Sequence, residues 1–354
     1  MCWPRSPIRS AAHGGAIALA AALASAPAPG LAQNARVRQP VPSSAAPAPG
    51  TTAILDSLVV RLAAMSAVTG YEDAMADTLR SLLPGARADR AGNVVWSLGT
   101  GDPVRVAVCP MDEVGYVVGG IDPEGYLTVR RVGATPMGPL FDQWLEGQRV
   151  TVGGRRGPVP GVVAVRSTHL QRGRSGGPDE PFRLDDAWVD VGAATPADVD
   201  ALGVELLAPL TRAKRPFRYG ERLLAAPFVA QRAACAALVT AVRQLPASLV
   251  GTAVAVFARR RHFGHDGAGF ALGALADGAP AERVLLLGGS VASDSLGGGA
   301  VAVARDSVPT GPGVQAVTAW SLPARYVRSP VETVSLADVS ALAARLATFL
   351  GGGR

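Results

Sequence analysis

The chain has 354 residues, of which 48% are apolar and 18% are charged, so it is long enough for one large domain or two ordinary ones with a sizeable core. The 34 basic residues outnumber the 28 acidic ones, giving a net charge of +6, and Lys214 is the only lysine. No basic stripe with interleaved aromatic residues is present, so the sequence does not indicate a nucleic-acid-binding protein.

The first 32 residues have the pattern of a secretory signal peptide. Arg5 and Arg9 precede a short apolar run, and Ala24-Ser25-Ala26 fits the small-residue rule for cleavage. Since the run is too short for a stable bilayer span, we expect an exported protein, periplasmic or extracellular, without a membrane span after cleavage. A retained N-terminal anchor is the alternative. Residues 33–52 are rich in Pro, Ala and Ser, which predicts a flexible linker.

The first elements of the folded region follow the linker. Apolar residues at helical spacing predict a helix over 53–66. Thr69-Gly70-Tyr71-Glu72 has the form of a capping box, which predicts a second helix that runs through Leu83. Strands are predicted at 93–98 and at 104–109, where a continuous apolar run is typical of a strand buried on both faces.

The pattern changes over 125–224, where short β-like runs alternate with Gly and Pro and predict a separate small β-domain. Because strands that alternate with helices form a sheet covered on both faces, we expect 53–124 and 225–354 to make one α/β domain that this insert interrupts. The elements predicted after the insert are a helix at 230–245, strands at 251–258, 283–287, 299–304 and 314–322, and a last helix capped by Ser335 and Asp338.

Two cysteines remain after the predicted signal peptide, Cys109 and Cys235. Both stand in apolar runs, which favours two buried thiols that behave as small hydrophobic residues. An oxidising compartment also allows a disulfide between them, and two cysteines alone do not make a disulfide framework.

A set of short motifs occurs in a fixed order along the chain: Thr69-Gly70-Tyr71-Glu72, Asp89-Arg90-Ala91-Gly92-Asn93-Val94, Met111-Asp112-Glu113-Val114-Gly115, Pro160-Gly161-Val162 with His169-Leu170, Val189-Asp190-Val191-Gly192-Ala193, and Arg325-Tyr326-Val327-Arg328-Ser329-Pro330-Val331-Glu332. Together they resemble the motifs of the glutamyl and deblocking aminopeptidases. This is a family of cocatalytic metallopeptidases whose members form tetrahedral dodecamers. The resemblance extends over 54–350.

The resemblance implies a zinc-exopeptidase-like α/β fold, with a mixed sheet flanked by helices and a small inserted PDZ-like β-domain. In an active member it also implies two zinc or cobalt ions, a catalytic carboxylate and removal of N-terminal residues from peptides. One region departs from the family. Between Gly289 and Val314 the chain is shorter than its relatives, and the missing part resembles a helix, a strand and a glycine-rich active-site loop.

The resemblance also places other residue types where the family holds its metals. Proline, alanine and glycine side chains offer no ligand atom, and arginine remains protonated and repels a dication. We therefore expect a degenerate member with no metal cofactor. By the resemblance, Pro110 takes the place of the family's first His, Ala230 that of the bridging Asp, and Arg261 that of the catalytic Glu. His262 takes the place of the paired Glu ligand, Gly288 that of the next acidic ligand, and Arg328 that of the last His.

Asp112 survives, and in the family it orients a metal-bound histidine. A buried carboxylate without a partner is costly, so we expect Arg261 or Arg328 to pair with it in place of the metals. Arg260, Arg261 and Arg328 also make a candidate site for a small anion such as a peptide carboxylate. The alternative is that these three are solvated surface arginines.

Two functions follow from this pattern. The first is a non-catalytic binding or assembly protein, a pseudoenzyme that associates with itself or with an active homologue. The alternative is a hydrolase with residual activity or a site rebuilt around Asp112, Glu113, His262 and His265. The alternative requires a bound metal or a nucleophile–base pair in the cleft, and the sequence contains no Gly-x-Ser-x-Gly elbow.

Overall fold

The structure is a computed structural model that describes residues 49–138, 140–164, 182–276, 283–299, 301–304 and 317–353. The predicted signal peptide, 1–32, and the His169-Leu170 pair lie outside the described residues. All described residues belong to one structural unit, Val41–Arg354. Among them, no helix combines the length and the apolar character that crossing a bilayer requires.

The described helices are α1 Pro49–Ala63, α2 Asp73–Leu82, α3 Pro196–Leu202, α4 Val229–Arg243, α5 Asp266–Ala276 and α6 Leu336–Leu350. Helix α1 begins earlier than predicted, so the end of the predicted linker, 49–52, is helical. Proline suits this first helical position because its missing N–H is one that a helix leaves unbonded at its start.

The described strands fall into three sheets. A mixed seven-stranded sheet and a three-stranded sheet are open, and the third sheet is a closed barrel. The bounds are β1 Arg87–Ala88, β2 Val94–Thr100, β3 Val104–Pro110, β4 Gly115–Ile121, β5 Leu127–Val132, β6 Arg149–Gly154, β7 Gly157–Val163, β8 Val189–Asp190, β9 Pro209–Arg212, β10 Phe217–Tyr219, β11 Leu223–Ala225, β12 Gly251–Ala258, β13 Arg283–Ala292, β14 Ala302–Ala304, β15 Val317–Ala324 and β16 Thr333–Ser335.

The large sheet has the order β1-β2-β12-β3-β13-β15-β14. Strands β12, β3, β13 and β15 run parallel, whereas β2 and β14 run antiparallel to their neighbours. All residues of β3 are buried, because its alternate side chains face two different layers. Ala107 and Cys109 pack in the core with α1, α4 and α6, and Val106 and Val108 pack with α5. The predicted α/β sheet with helices on both faces is confirmed.

Helix α4 is buried along nearly its whole length, since its many alanines allow α1, α6 and the sheet to approach closely. On this helix Cys235 faces Cys109, and the two form a disulfide with Cα atoms 5.7 Å apart, a separation that a disulfide requires. The prediction of two free thiols is therefore wrong. Strand alternation directs Cys109 toward α4, which the sequence pattern alone did not indicate.

The barrel closes in the order β4-β5-β8-β7-β6-β9 around its own apolar core. Strand β4 pairs with both β5 and β9, so a domain limit at 125 separates this strand from the two with which it pairs. Strands β10 and β11 lie inside the predicted insert, 125–224, or at its end, yet they join β16 in the three-stranded sheet. Because these strands are short and show no clear alternation, the sequence pattern does not indicate to which sheet they belong.

The capping box predicted at 69–72 is not formed, whereas the predicted cap of α6 is formed by Ser335 without Asp338. Glu72 precedes α2, but no side chain caps that helix. At α6 the Ser335 hydroxyl accepts the N–H of Ala337 at 3.2 Å, as an N-cap should. Asp338 does not return to the cap; its carboxylate accepts the N–H groups of Gly297 and Gly299, each at 2.7 Å. Both carboxylates are buried and accept N–H groups of loops instead, because a buried charged group without hydrogen bonds is costly.

Candidate functional site

The predicted site residues lie at the carboxyl end of the parallel strands, where open α/β sheets place their ligand sites. Pro110 ends β3, and the segment of Arg261 follows β12. Ala230 stands in the first turn of α4, and Arg328 follows β15. Gly288 lies within β13, in a register irregularity between Leu287 and Ser290. The fold therefore brings these positions to one edge of the sheet.

Four residues with side chains at this edge have a left-handed backbone. The φ angles of Phe228, Arg260, Tyr326 and Arg328 are 54°, 56°, 52° and 64°. A residue other than glycine in this region is strained by roughly 1–3 kcal/mol, and such strain gathers at functional sites. The backbone of the site thus retains an unfavourable geometry that the surrounding structure must hold.

Glu332 holds part of this backbone. Its side chain is buried, with Oε1 accepting the N–H of Ala230 at 3.0 Å and Oε2 accepting the N–H of Arg328 at 2.7 Å. A carboxylate at the start of a helix is also favoured by the helix dipole. Glu332 therefore connects two of the predicted site positions, Ala230 and Arg328.

Glu72 holds a second part. Its Oε1 accepts the N–H groups of Gly70 at 3.0 Å and Arg260 at 2.9 Å, and Arg259 Nε donates to its Oε2 at 3.1 Å. Asn93 supports the same segment, since its Oδ1 accepts the N–H of Arg259 at 2.9 Å. Glu72 and Asn93, which belong to two of the motifs in the sequence, thus act together to fix the segment that follows β12.

Gln231 links two of the predicted positions. Its Nε2 donates to the carbonyl oxygen of Pro110 at 2.5 Å, and its Oε1 accepts from Arg261 Nη1 at 2.9 Å. No role was predicted for Gln231 from the sequence. Its signal is its type, because an amide can both donate to a carbonyl and accept from a guanidinium.

Asp112 is buried and its Oδ2 accepts the backbone N–H of His262 at 3.1 Å. Its Oδ1 has no hydrogen-bond partner among the described residues. Neither Arg261 nor Arg328 forms an ion pair with it within that part of the chain, so the predicted guanidinium pairing is wrong. The physical reason is that the Arg261 guanidinium reaches toward Gln231 instead.

His262 lies in a short 3₁₀ turn, Arg261–Phe263, and is buried. Its Nδ1 is 2.8 Å from the Thr135 hydroxyl. Burial lowers the pKa of His262 to about 4; the carboxylates of Asp112 and Glu113 oppose this change, and the charges of Arg261 and Arg328 reinforce it. The imidazole is therefore neutral at pH 7, with both arginines close enough to act on it.

Glu113 and His265 are not brought together with His262 in a rebuilt catalytic group. Glu113 is buried, where its Oε1 accepts the N–H of Ala67 at 3.0 Å and its Oε2 contacts Lys214 and Arg232. The backbone N–H of His265 donates to the carbonyl of Arg261 at 3.0 Å, and its φ is 65°. The sequence did not predict that Lys214 is a partner of Glu113. The one feature that distinguishes Lys214 in the sequence is that it is the only lysine of the chain.

Arg260 differs from the other two arginines of the predicted anion site. Its Nη2 donates to the carbonyl of Ala91 at 3.3 Å, in the turn between β1 and β2. Arg261 and Arg328 both act on His262. The charges of two of the three arginines, Arg261 and Arg328, thus act on the imidazole, whereas Arg260 bonds to the turn that contains Ala91.

The donor set at this edge does not fit two divalent cations. A dinuclear site needs a bridging carboxylate and closed ligand shells, but Ala230 and Pro110 offer no side-chain donor, and Arg261 and Arg328 add positive charge beside the one imidazole. In the described ranges, no group of three or more His, Cys, Asp or Glu side chains is arranged to hold a metal. No step of a mechanism is therefore derived through metal ions.

A mixed sheet covered by helices on both faces, interrupted by a β-barrel, with the site at the carboxyl edge, defines an exopeptidase-like α/β protein. The sequence model of the M42 glutamyl aminopeptidase family matches residues 92–279, more than half of the chain, and the chain belongs to this family. The predicted family is confirmed.

Two curated relatives share this region. The protein SgcX of Escherichia coli (strain K12) is 32% identical over 182 residues, which are 49% of this chain and 46% of that protein. Lysyl aminopeptidase of Pyrococcus furiosus is 29% identical over 187 residues, 50% of this chain and 51% of that protein. The matched region thus spans about half the length of each relative.

Two solved structures show the same fold over most of the chain. The aminopeptidase APDkam598 of Desulfurococcus kamchatkensis has a TM-score of 0.73 at 19% identity, covering 85% of this chain and 95% of that one. The TET1 peptidase of Pyrococcus horikoshii, which assembles into a tetrahedron or a large octahedral shell, has a TM-score of 0.72 at 22% identity, covering 84% and 99%.

Proposed function

We propose that this family member is a non-catalytic protein that acts by binding or assembly after export to the periplasm or the extracellular space. The observation that carries the proposal is the donor set. At the positions of the family's ligands stand Pro110, Ala230 and Arg328, and the N–H groups of the last two are bonded to Glu332. Glu332 thus fixes the backbone at two of these positions, while their side chains are unsuited to metals.

Assembly with itself or with an active homologue is part of this proposal. The TET1 peptidase of Pyrococcus horikoshii forms closed shells, and the shared fold supports a homo-oligomer here. The PDZ-like character of the insert also belongs to the proposal, supported by a small closed β-barrel with its own core. Size-exclusion chromatography with light scattering on the mature chain tests assembly, and a monomer at micromolar concentration would contradict it.

The edge of the sheet around His262 is proposed to receive the carboxylate of a peptide or another small anion. Arg261 and Arg328 are the cations that act on His262, and guanidinium groups bind carboxylates through paired hydrogen bonds. Arg260 is retained from the sequence prediction only as a flanking charge, because its guanidinium bonds to Ala91.

The decisive experiment measures the metal content of the purified mature protein together with hydrolysis of a panel of aminoacyl substrates with added zinc or cobalt. We expect no stoichiometric metal and no turnover. One or two tightly bound ions, with turnover that a chelator abolishes, would overturn the proposal and mean that the site is rebuilt from other residues.

A hydrolase is the alternative, and one contact favours it. The Thr135 hydroxyl lies 2.8 Å from His262 Nδ1, and a hydroxyl within hydrogen-bond reach of an imidazole is the arrangement of an activated nucleophile. If the protein hydrolyses a substrate without metal, Thr135→Ala should abolish the activity while Thr135→Ser retains it. Equal activity in both variants would exclude this pair as the catalytic group.

A further inference from the structure

Three cationic side chains meet behind the candidate site around one carboxylate. Lys214 and Arg232 both contact Glu113, Arg232 at 3.3 Å, and Arg212 lies near enough to act on Lys214 and to feel the charge of Glu113. Arg212, Lys214, Arg232 and Glu113 are called the buried charge cluster below. Within it, positive charges exceed negative charges.

The members of the cluster are withdrawn from water. The side chains of Lys214, Arg232 and Glu113 are 4%, 1% and 1% exposed, and Arg212 is 7% exposed as a whole residue. Water therefore cannot offset the excess charge, and an unpaired charge in such a place is strongly unfavourable.

Arg212 is the uncompensated member. Its Nη1 is buried without a hydrogen-bond partner in the described part of the chain, and none of the ion pairs found there includes it. Its guanidinium carbon is 5.3 Å from the centre of the Phe141 ring, which compensates only part of a full charge. The other carboxylate that acts on it, that of Asp142, is already paired with Arg131 at 3.1 Å.

A small cavity of about 10 Å³ lies against these groups. Arg212, Lys214 and Glu113 line it together with Thr211, Tyr116 and the Phe228 ring. The volume is room for a single small group such as a water molecule or a monatomic ion. The Glu113 carboxylate is engaged by Lys214, Arg232 and the Ala67 N–H. Of the residues that line the cavity, Arg212 is the one with a buried donor, Nη1, that has no hydrogen-bond partner among the described residues.

We propose that this cavity is a structural anion site, occupied by one chloride ion that contacts Arg212 and offsets the excess charge of the cluster. Arginine does not release its proton in proteins, so Arg212 itself has no way to become neutral. A bound monatomic anion supplies the missing negative charge without any movement of the surrounding strands. The proposal does not depend on the proposed loss of catalysis.

The test compares thermal unfolding of the full mature chain in sodium chloride and sodium gluconate at constant ionic strength, since gluconate is far too large for the cavity. We expect the midpoint to rise with chloride, in proportion to the logarithm of its concentration once that exceeds the dissociation constant. A concentration ten times the dissociation constant raises the folded-to-unfolded ratio roughly tenfold. Crystals grown in sodium bromide should show an anomalous peak beside Arg212 Nη1.

Arg212→Met should remove the chloride dependence, whereas Arg155→Met, at an exposed position paired with Asp200 and Glu205, should retain it. Equal midpoints in the two salts, or a response that persists in Arg212→Met, would overturn the proposal. So would crystals in bromide that show no halide in the cavity. The last readout uses the unaltered chain, and it decides the question even if the variant Arg212→Met fails to fold.

Discussion

The amide N–H of Ala230 donates to Glu332 Oε1 at 3.0 Å across 102 residues of sequence. The first turn of α4 has no acidic residue of its own, and its N-cap residue, Phe228, makes no side-chain cap. Glu332 therefore supplies from a distant segment the carboxylate that this helix start lacks. The same side chain holds the strained backbone of Arg328, so one residue fixes two of the predicted site positions.

We predict that Glu332→Gln lowers the free energy of unfolding by about 1–3 kcal/mol, because a buried charged acceptor is replaced by an amide that satisfies only one of the two N–H groups. Urea unfolding followed by circular dichroism measures the change. Glu124→Gln, at an exposed position, is the matched control and should lie within 0.5 kcal/mol or so of the unaltered protein. Identical midpoints for the two variants would contradict the prediction.

Continuous apolar runs made the central strands predictable. The strand predicted at 251–258 coincides with β12, and 104–109 differs from β3 only by the final Pro110. Both strands are buried on two faces, so every position selects an apolar residue. The limits of the barrel were harder to predict. Strand β8 has two residues and shows no alternation, and its position in the barrel depends on its pairing with β5 and β7.

The positions of the site could be predicted by resemblance, but their partners could not. Asp112 was expected to meet an arginine, and instead it meets the backbone of His262. Which group a carboxylate contacts depends on the direction in which its side chain points, and the sequence pattern does not show that direction. Lys214 was noticed only as the single lysine, since nothing in its neighbourhood indicated that it lies beside Glu113.

Glu72→Gln should lower the free energy of unfolding by about 1.5–3 kcal/mol. The buried carboxylate accepts two N–H groups and pairs with Arg259 at 3.1 Å, and bonds to a charged acceptor are worth about this much. Asp73→Asn is the control, because Asp73 pairs with the same arginine but its side chain is 82% exposed, where an ion pair contributes about 0–1 kcal/mol. If Asp73→Asn costs as much as Glu72→Gln, burial is not the cause.

The disulfide between Cys109 and Cys235 should stabilise the protein by about 2–5 kcal/mol, since it closes a loop of 126 residues in the unfolded chain. We expect a reductant to lower the thermal midpoint of the unaltered protein. The double variant Cys109→Ala with Cys235→Ala should unfold at the lower temperature with or without reductant. A midpoint of the unaltered protein that ignores the reductant, with free thiols demonstrated by labelling, would refute the effect.

His262 should make stability depend on pH between about 4 and 6.5. Burial lowers its pKa in the folded protein to about 4 from an ordinary value of 6.5. Between these values the unfolded chain binds the proton and the folded chain does not, so the free energy of unfolding rises with pH across this window and levels off above it. At about 1.4 kcal/mol for each pH unit, the full contribution is on the order of 3 kcal/mol.

The measurement is urea unfolding at a series of pH values for the unaltered protein and for His262→Asn, whose amide replaces Nδ1 without titrating. The difference between the two should grow by about 3 kcal/mol from pH 4 to 6.5, because the carboxylates that also titrate there cancel between them. Thr135→Val removes the hydroxyl beside Nδ1 and should keep the pH slope, since burial is the largest cause of the low pKa. A slope that disappears with Thr135→Val would assign the effect to the hydroxyl contact rather than to burial.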